Sequence, residues 1–433
     1  MGIRGGGGRL IFGLAVVLLA GEVGAAGFQL MEQNASGLGN AYAGSAAVAE
    51  NASTIFFNPA GMTELQGRTY SVGATAIKPN FQFSDSGSNV GALAGTGQGG
   101  NAGQMGVLPN GYAAWRLDDK LALGLGLGAP FGLMTKYDAP WLGAAHSESF
   151  GIKSYNINPS LAYRLNDQVS VGFGLNWQRV EADYKRTLAV VALPGPIPAA
   201  LAVATPIKLT LSDEAWGWNV GALFKLNPST KLGLSYRSKI KYVVTGKIQA
   251  SGPSALANAN LSSNAAASIS TPDTFIASLS HYYSDRLELL GDVSWTGWSV
   301  APKVDIKRTS GPQTGVIAQT LETDFRDTWR VAVGASYRLR DDLKLKFGTA
   351  FDQTPVKGTR SRLVSLPDND RLWLSFGAQW QWSKDSALDV GATYLYVKDA
   401  KIDSDQSANG RGRVTGTYEN SGWLLGAQYS AAF

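Results

Sequence analysis

The chain of 433 residues contains 44% hydrophobic and only 16% charged residues, with 52 glycines and no cysteine. Soluble domains carry roughly 25% charged residues, so this composition favours strands that alternate between lipid and a lumen. Without cysteine there is no disulfide framework or thiolate metal site, and the net charge of +5 is spread without a basic block. Nothing therefore indicates a nucleic-acid partner.

The first 25 residues have the pattern of a secretory signal peptide. Arg4 and Arg9 give a positive amino-terminal region, and Leu10–Ala20 is an apolar stretch that is too short to span a bilayer. Small residues follow, and we expect cleavage after Ala25 or Ala26.

Residues 26–65 are rich in Ala, Gly, Ser and Asn and show no strand alternation. If the rest of the chain forms a wide barrel, its own inward side chains cannot fill the lumen. We therefore predict that this segment is an N-terminal hatch, or plug, in the lumen. A disordered periplasmic tail is the alternative.

Residues 66–433 alternate between apolar residues and small or polar ones. The pattern is clear in Leu121–Gly128, Val169–Gln178 and Leu372–Trp382. A period of two with one apolar face indicates β-strands, and the small, polar opposite face fits a lumen. We predict an all-β fold, a transmembrane antiparallel β-barrel, with a soluble β-sandwich as the alternative.

Turn-forming pairs divide this region at regular intervals. The short turns are Asp118-Asp119, Asn166-Asp167, Asn227-Pro228, Ser284-Asp285, Asp341-Asp342 and Lys384-Asp385. Longer polar or glycine-rich connections lie between them, such as Ser84–Pro109, Arg186–Asp213 and Ala250–Pro272. Six short turns and seven long loops join about fourteen strands, with both ends of the barrel on the periplasmic side.

The chain ends in an alternating strand that closes on Phe433. A terminal Phe is the usual signal for the outer-membrane assembly machinery, which we expect as a partner together with membrane lipids. Aromatic residues near predicted strand ends fit interfacial girdles. They are Trp295, Trp298, Trp380, Trp382, Tyr394 and Tyr396. We predict a multi-pass protein of the cell outer membrane that acts as a monomer.

One apolar segment, Leu188–Ile207, is long enough for a membrane helix. It contains Pro194, Pro196, Pro198 and Pro206, which would break the helical hydrogen-bond ladder. The hairpin count places it in an external loop. Because a hydrophobic external loop is costly to expose to water, we expect it to pack on or receive something apolar.

The chain has only two histidines, His146 and His281, which excludes a histidine cluster that binds metal. His281 lies in a strand pattern without a nucleophile signature. We predict no enzyme, no cofactor and no metal, with an outer-membrane hydrolase as the alternative.

Several motifs resemble those of a known family. Near the N-terminus they are Gly27–Leu30, Ser36–Gly44 and Asn58–Met62. In the C-terminal third they are Phe325–Thr328, Ala350–Val356, Leu366–Arg371 and Asp389–Tyr394. The chain resembles the FadL family of outer-membrane long-chain fatty acid and hydrocarbon transporters, whose fold is a fourteen-stranded barrel with an N-terminal hatch.

The resemblance implies a route for a hydrophobic ligand. Capture occurs between two external loops, here Leu188–Leu209 and Ser251–Ser270, and the ligand then enters a pocket beside the hatch. It leaves sideways through the wall at a kinked third strand. Here Leu121–Gly128 runs into Pro130, which cannot donate to the sheet ladder. Gly124 and Gly126 leave its inward face without side chains, which fits either a gap or ordinary crowding in the lumen.

Residue roles also follow from the resemblance. Phe28 would lie in or near the ligand pocket, and Asp352 would face the region of the third strand. Asn58, Pro59 and Ala60 would hold the hatch against the wall beside that strand. In fatty acid transporters an Arg and a Lys face the carboxylate. Arg186 matches the Arg, but Leu321 occupies the position of the Lys, which keeps uncharged ligands open.

The predicted function is uptake of long-chain fatty acids or similar hydrophobic molecules by facilitated diffusion, with lateral release into the membrane. Burial favours each CH₂ by about 0.8 kcal/mol, so release into periplasmic water would be steeply uphill. An aromatic or alkane hydrocarbon channel of the same fold is the alternative, and a general porin is a further one.

Overall fold

The computed structural model describes residues 27–90, 96–191 and 202–433. The predicted signal peptide lies outside these residues. No helix in this described part is long and apolar enough to cross a membrane.

Antiparallel strands form the wall of the molecule. They are β1 (Arg68–Asp85), β2 (Gly106–Arg116), β3 (Leu121–Gly128), β4 (Gly132–Lys136), β5 (Ser149–Arg164), β6 (Val169–Val191), β7 (Ala202–Asn227), β8 (Thr230–Arg237), β9 (Ile240–Ala250), β10 (Ser263–Thr271), β11 (Thr274–Tyr282), β12 (Leu287–Thr296), β13 (Val304–Arg308), β14 (Ile317–Leu321), β15 (Thr328–Arg340), β16 (Leu343–Asp352), β17 (Arg371–Ser383), β18 (Ser386–Asp405) and β19 (Arg413–Ala432). β1 pairs with both β2 and β19, which closes the sheet.

The result is a closed antiparallel barrel of 14 strands, as predicted. The 19 segments make 14 strands because five of the strands that cross the wall are each interrupted by a short irregular stretch. The two segments of these five strands are β3 and β4, β8 and β9, β10 and β11, β12 and β13, and β14 and β15. All six predicted short turns join consecutive strands at one end of the barrel.

The predicted bounds of two external loops are wrong. β6 and β7 continue as a paired hairpin in which Arg186 lies opposite Ile207 and Leu188 opposite Thr205. The Ala-rich loop contains a helix, α2 (Ala255–Leu261), followed by strand β10. Strand alternation explains the first difference, since Ile207 is buried while its neighbour Lys208 is exposed.

The segment Gly27–Gln66, which we call the hatch, contains one short α-helix, α1 (Thr54–Phe57). Two 3-10 helices, Leu38–Asn40 and Pro59–Glu64, lie on either side of it. The segment contacts well-separated strands of the barrel wall. The Asn40 amide donates to the carbonyl oxygen of Ala335 at 2.9 Å, and the Asn58 amide donates to that of Ala222 at 2.9 Å. The hatch therefore lies inside the lumen.

Glycines on the inner wall let the hatch backbone approach. A Cβ added to Gly348 on β16 would lie 2.1 Å from the carbonyl carbon of Asn40, and one on Gly233 of β8 would lie 1.9 Å from the Ala46 oxygen. Any side chain at these positions would displace the hatch. The small, polar inward face that predicts a lumen is thus a contact surface for the hatch.

A buried ionic cluster fixes the hatch to the wall. Lys346 Nζ on β16 lies 2.9 Å from Asp389 Oδ1 on β18 and 2.6 Å from Glu50 Oε1 on the hatch. It also donates to the carbonyl oxygen of Ser36 at 2.9 Å. Because Lys346 and Asp389 are almost fully buried, breaking this pair would leave an uncompensated charge.

Candidate functional site

An apolar pocket lies inside the barrel at the end opposite the short turns. Inward-facing side chains of the wall line it, together with Phe28 of the hatch. They include Ile152, Tyr184, Leu209, Leu211, Val244, Ile306 and Leu321. The apolar lining is suited to a small hydrophobic ligand.

The pocket arises because the polarity of the strand faces reverses along the chain. On β7, Trp216, Trp218 and Val220 point outward and are exposed. Further along the same outward face stands Lys208, while the inward neighbours Leu209 and Leu211 are buried. The pairing of β6 with β7 keeps one register throughout, so the reversal of polarity lies in the residue pattern itself. This pattern in the sequence locates the pocket wall above the lipid-facing band.

Aromatic rings form the floor of the pocket. The Phe28 ring packs edge-on against Trp298, with centroids 4.7 Å apart, and also contacts Phe131 at 5.8 Å. Trp298 in turn packs against Phe325 at 5.7 Å. Phe28 thus lines the apolar pocket. The prediction that Trp298 belongs to an interfacial girdle is wrong, because this residue is almost completely buried in the aromatic cluster.

The barrel wall has an unpaired stretch next to this floor. The β2–β3 ladder ends at Gly111 and Leu127, and Gly106–Asn110 of β2 continue paired with β1. β4 pairs with β5. Among the described residues no ladder joins β2 to β4. The interruption of the third strand at Pro130 therefore coincides with a gap in the wall.

The N-terminal arm of the hatch covers this gap from inside. The amide of Gly132 donates to the carbonyl oxygen of Phe28 at 2.8 Å, and the amide of Leu30 donates to that of Pro130 at 2.8 Å. Gln29 and Phe131 form an antiparallel bridge between these bonds. The arm thus supplies the backbone partner that the kinked strand lacks on the barrel side.

The glycines of β3 face the hatch rather than open space. A Cβ at Gly124 would lie 2.4 Å from Met62 Sδ and 2.7 Å from Ile55 Cδ1. At Gly126 an added Cβ would meet Tyr112 at 3.1 Å. The missing side chains therefore make room for the hatch.

Asn58, Pro59 and Ala60 lie against β6 and β7, which are two and three strands along the wall from β3. A Cβ at Gly221 of β7 would lie 2.0 Å from Asn58 Oδ1, and one at Gly172 of β6 would lie 2.4 Å from the Ala60 amide nitrogen. The Asn58 side chain also accepts a hydrogen bond from that amide at 3.1 Å. Barrel curvature, which the linear sequence does not display, decides which wall this turn meets.

Asp352 lies on β16, with Arg330 and Arg371 as its cross-strand neighbours. Arg371 Nη2 is 2.5 Å from Asp368 Oδ1, and Asp368 Oδ2 accepts a hydrogen bond from the Gly27 amide at 3.0 Å. Asp352 therefore belongs to a buried charged row beside the start of the hatch arm.

Arg186 lines a smaller cavity that shares Tyr184, Leu209 and Ile306 with the apolar pocket. A second guanidinium, from Arg308 on β13, lines the same cavity. Leu321 lines the apolar pocket. Sequence reasoning missed Arg308, because an arginine in a short strand with alternating charges gives no signal of facing inward.

The two histidines lie away from the pocket. His146 Nε2 is 3.1 Å from the carbonyl oxygen of Gly412, and His281 Nδ1 is 2.9 Å from Thr230 Oγ1. The described residues contain no group of three or more His, Cys, Asp or Glu that could hold a metal ion.

A closed membrane barrel, a segment that fills its lumen and an apolar pocket beside a gap in the wall define a plugged transport barrel. The family model described as "Outer membrane protein transport protein (OMPP1/FadL/TodX)" matches residues 16–433. The chain belongs to this family, and it is a protein of the outer membrane.

Individual relatives agree with this assignment. A long-chain fatty acid transport protein of Salmonella typhi is 28% identical over 438 residues, which cover 97% of each chain. The crystal structure of a Pseudomonas aeruginosa FadL homologue has a TM-score of 0.86 at 24% identity, covering 94% of this chain and 100% of that one. The P. putida toluene transporter TodX has a TM-score of 0.71 at 16% identity, covering 92% and 98%. These two structures establish the shared fold.

Proposed function

We propose that the protein takes up long-chain fatty acids or similar hydrophobic molecules and releases them sideways into the outer membrane. One observation carries the proposal: Phe28 contributes its ring to the floor of the apolar pocket and its carbonyl oxygen to the cover of the wall gap. A ligand that displaces Phe28 would therefore also loosen the contact that covers the gap. The name of the Salmonella relative supports fatty acids as ligands.

Release into the bilayer is favoured by the hydrophobic effect. Each CH₂ transferred to water costs about 0.8 kcal/mol, so a long acyl chain leaves downhill only if it passes from the pocket into lipid. We propose that the ligand passes from the pocket into lipid through the gap in the wall beside Pro130. No energy source beyond the concentration gradient is required, and the protein acts as a transporter without catalysis.

The predicted roles fit this route as proposals. After removal of a signal peptide of residues 1–25, residues 26–65 act as the hatch and residues 66–433 as the barrel. Asn58, Pro59 and Ala60 anchor the hatch while its arm moves. Gly124, Gly126 and Pro130 shape the opening, and Asp352 helps to hold the start of the arm. We propose that the protein works as a monomer and that Phe433 engages the assembly machinery.

A disulfide that fixes the hatch arm to the barrel wall tests the proposal. Gln29 and Phe131 form a non-hydrogen-bonded antiparallel pair, in which Cα atoms are about 4.5 Å apart and a disulfide can form. Because the chain has no cysteine, the double variant Gln29→Cys/Phe131→Cys gives one defined bridge. The oxidised variant should fail to deliver oleate into the membrane of proteoliposomes, and reduction should restore delivery.

The matched control places the bridge away from the gap. Ser71 and Ser430 oppose each other on β1 and β19, with their hydroxyl oxygens 2.9 Å apart. Ser71→Cys/Ser430→Cys should transport oleate in both redox states. Equal delivery by the oxidised and reduced arm variant would overturn lateral release past the arm.

A channel for neutral hydrocarbons is the second candidate, because Leu321 lines the pocket and the resemblance implies a Lys at this position in fatty acid transporters. Deletion of the gene separates the two. Loss of growth on oleate supports fatty acid uptake, whereas loss of growth on toluene or alkanes alone supports the hydrocarbon channel.

A further inference from the structure

Two arginine side chains point into the cavity that continues outward from the apolar pocket. Arg186 comes from β6 and Arg308 from β13, and they are only 4% and 6% exposed. Arg186 donates from Nη2 to the carbonyl oxygen of Ala318 at 3.3 Å. Arg308 donates from Nη1 to Ser263 Oγ at 3.1 Å and to the carbonyl oxygen of Leu261.

Several of their donors have no acceptor. Nε and Nη1 of Arg186 and Nε of Arg308 are buried without a hydrogen-bond partner. In the described part of the chain, no carboxylate oxygen lies within 4.0 Å of either guanidinium. A buried charge without a counter-ion is costly, and buried donors normally find acceptors. The unpaired donors can therefore bind an anion that bears several acceptor oxygens.

The position of the cavity shows what kind of anion would fit. It shares wall residues with the apolar pocket, so an occupant could place a charged group between the guanidiniums and an apolar chain below them. Guanidinium groups match the two oxygens of a carboxylate. Leu321, which has no charge, lies on β14 directly opposite Val304 of β13. Arg308, the second positively charged residue of the cavity, therefore lies on β13, the strand next to that of Leu321.

We infer that Arg308 is a specificity-determining residue that binds, together with Arg186, the anionic head group of an amphiphile whose tail fills the apolar pocket. The inference rests on the proposed function, since it assumes that the pocket holds the transported ligand. Arg308 then favours carboxylates over neutral molecules of the same length.

The test compares two ligands that differ at one end, oleate and oleyl alcohol, by calorimetric titration of the purified full chain in detergent. Arg308→Gln should weaken oleate binding by about tenfold or more, since hydrogen bonds to charged groups are the stronger kind. Binding of oleyl alcohol should change by less than about twofold. Arg308→Lys should recover part of the oleate affinity.

Lys307→Gln is the matched control. Lys307 precedes Arg308 on β13 but is exposed on the outer face, so its substitution removes the same charge without entering the cavity. It should leave both affinities unchanged. Equal loss of both ligands in Arg308→Gln, or no loss of oleate, would overturn the inference while the proposed function stands. If the unsubstituted protein binds neither ligand, the proposed function fails and the inference fails with it.

Discussion

The amide of Gly132 donates a 2.8 Å hydrogen bond to the carbonyl oxygen of Phe28, while the ring of Phe28 packs on Trp298 with centroids 4.7 Å apart. One hatch residue therefore takes part in both the floor of the pocket and the cover of the gap in the wall. Other bonds also hold the arm, among them those of Gly27 to Asp368 and of Leu30 to Pro130. Under the proposed function, a ligand that contacts the ring would act on the cover of the gap through Phe28.

Substituting Phe28→Ala should weaken the binding of oleate about three- to tenfold. The ring makes aromatic contacts worth about 0.5–1.5 kcal/mol each, and its loss opens the floor of the pocket. Titration calorimetry measures the effect. Phe56→Ala is the control, because Phe56 packs in the hatch against Phe57 at 5.1 Å, away from the pocket lining. Similar losses in both variants would mean that hatch stability, rather than the pocket floor, sets the affinity.

Placing a leucine at Gly124 should displace the hatch from β3 and raise ion leak through the barrel. Its Cβ would lie 2.4 Å from Met62 Sδ, and overpacking of this kind costs about 1–3 kcal/mol. Planar-bilayer conductance measures the leak. Gly111→Leu on β2 is the matched control, since an added Cβ there meets nothing within 4 Å. If the conductance of the Gly124→Leu variant equals that of the unsubstituted protein, the contact between β3 and the hatch does not seal the barrel.

Removing the ammonium group in Lys346→Met should lower the free energy of unfolding by about 3–5 kcal/mol, because Asp389 would remain buried and unpaired. Urea denaturation followed by tryptophan fluorescence measures this change. Lys344→Met is the control. Lys344 contacts Glu50 at 3.1 Å with 23% of its side chain exposed, and such pairs contribute about 0–1 kcal/mol. Adding Asp389→Leu to the Lys346 variant should restore part of the loss.

Acidification should destabilise the external loops through His146. Burial, together with the positive charges of Arg411 and Arg186, lowers the pKa of His146 from 6.5 to about 4. The folded protein therefore favours the neutral ring. This contribution to stability is fully present above pH 6.5 and is lost as the pH falls towards 4, up to about 3 kcal/mol.

His146→Gln should remove that pH dependence. The difference in unfolding free energy between the unsubstituted protein and the variant should shrink between pH 7 and pH 4, measured by urea titration at each pH. A constant difference across this range would show that His146 titrates normally in the folded state.

Much of the fold is predictable from the sequence. Period-two alternation and turn pairs such as Asp118-Asp119 are local signals, because each strand exposes alternate side chains to different surroundings and each turn bonds its own backbone. They give the barrel and its 14 strands. The extent of the β6–β7 hairpin is hidden in the sequence, because the prolines of the apolar run before Lys208 indicate a loop more strongly than its alternation indicates strands.

By itself, the sequence determined the all-β class, the barrel of 14 strands and the family motif that carries Phe28. Only the tertiary structure decided that Asn58 meets β6 and β7, that β2 and β4 leave a gap, and that Arg308 stands with Arg186. The reason is physical. Alternation and turn chemistry are set by neighbours along the chain, whereas a cavity depends on how closure of the barrel brings distant strands to face one another.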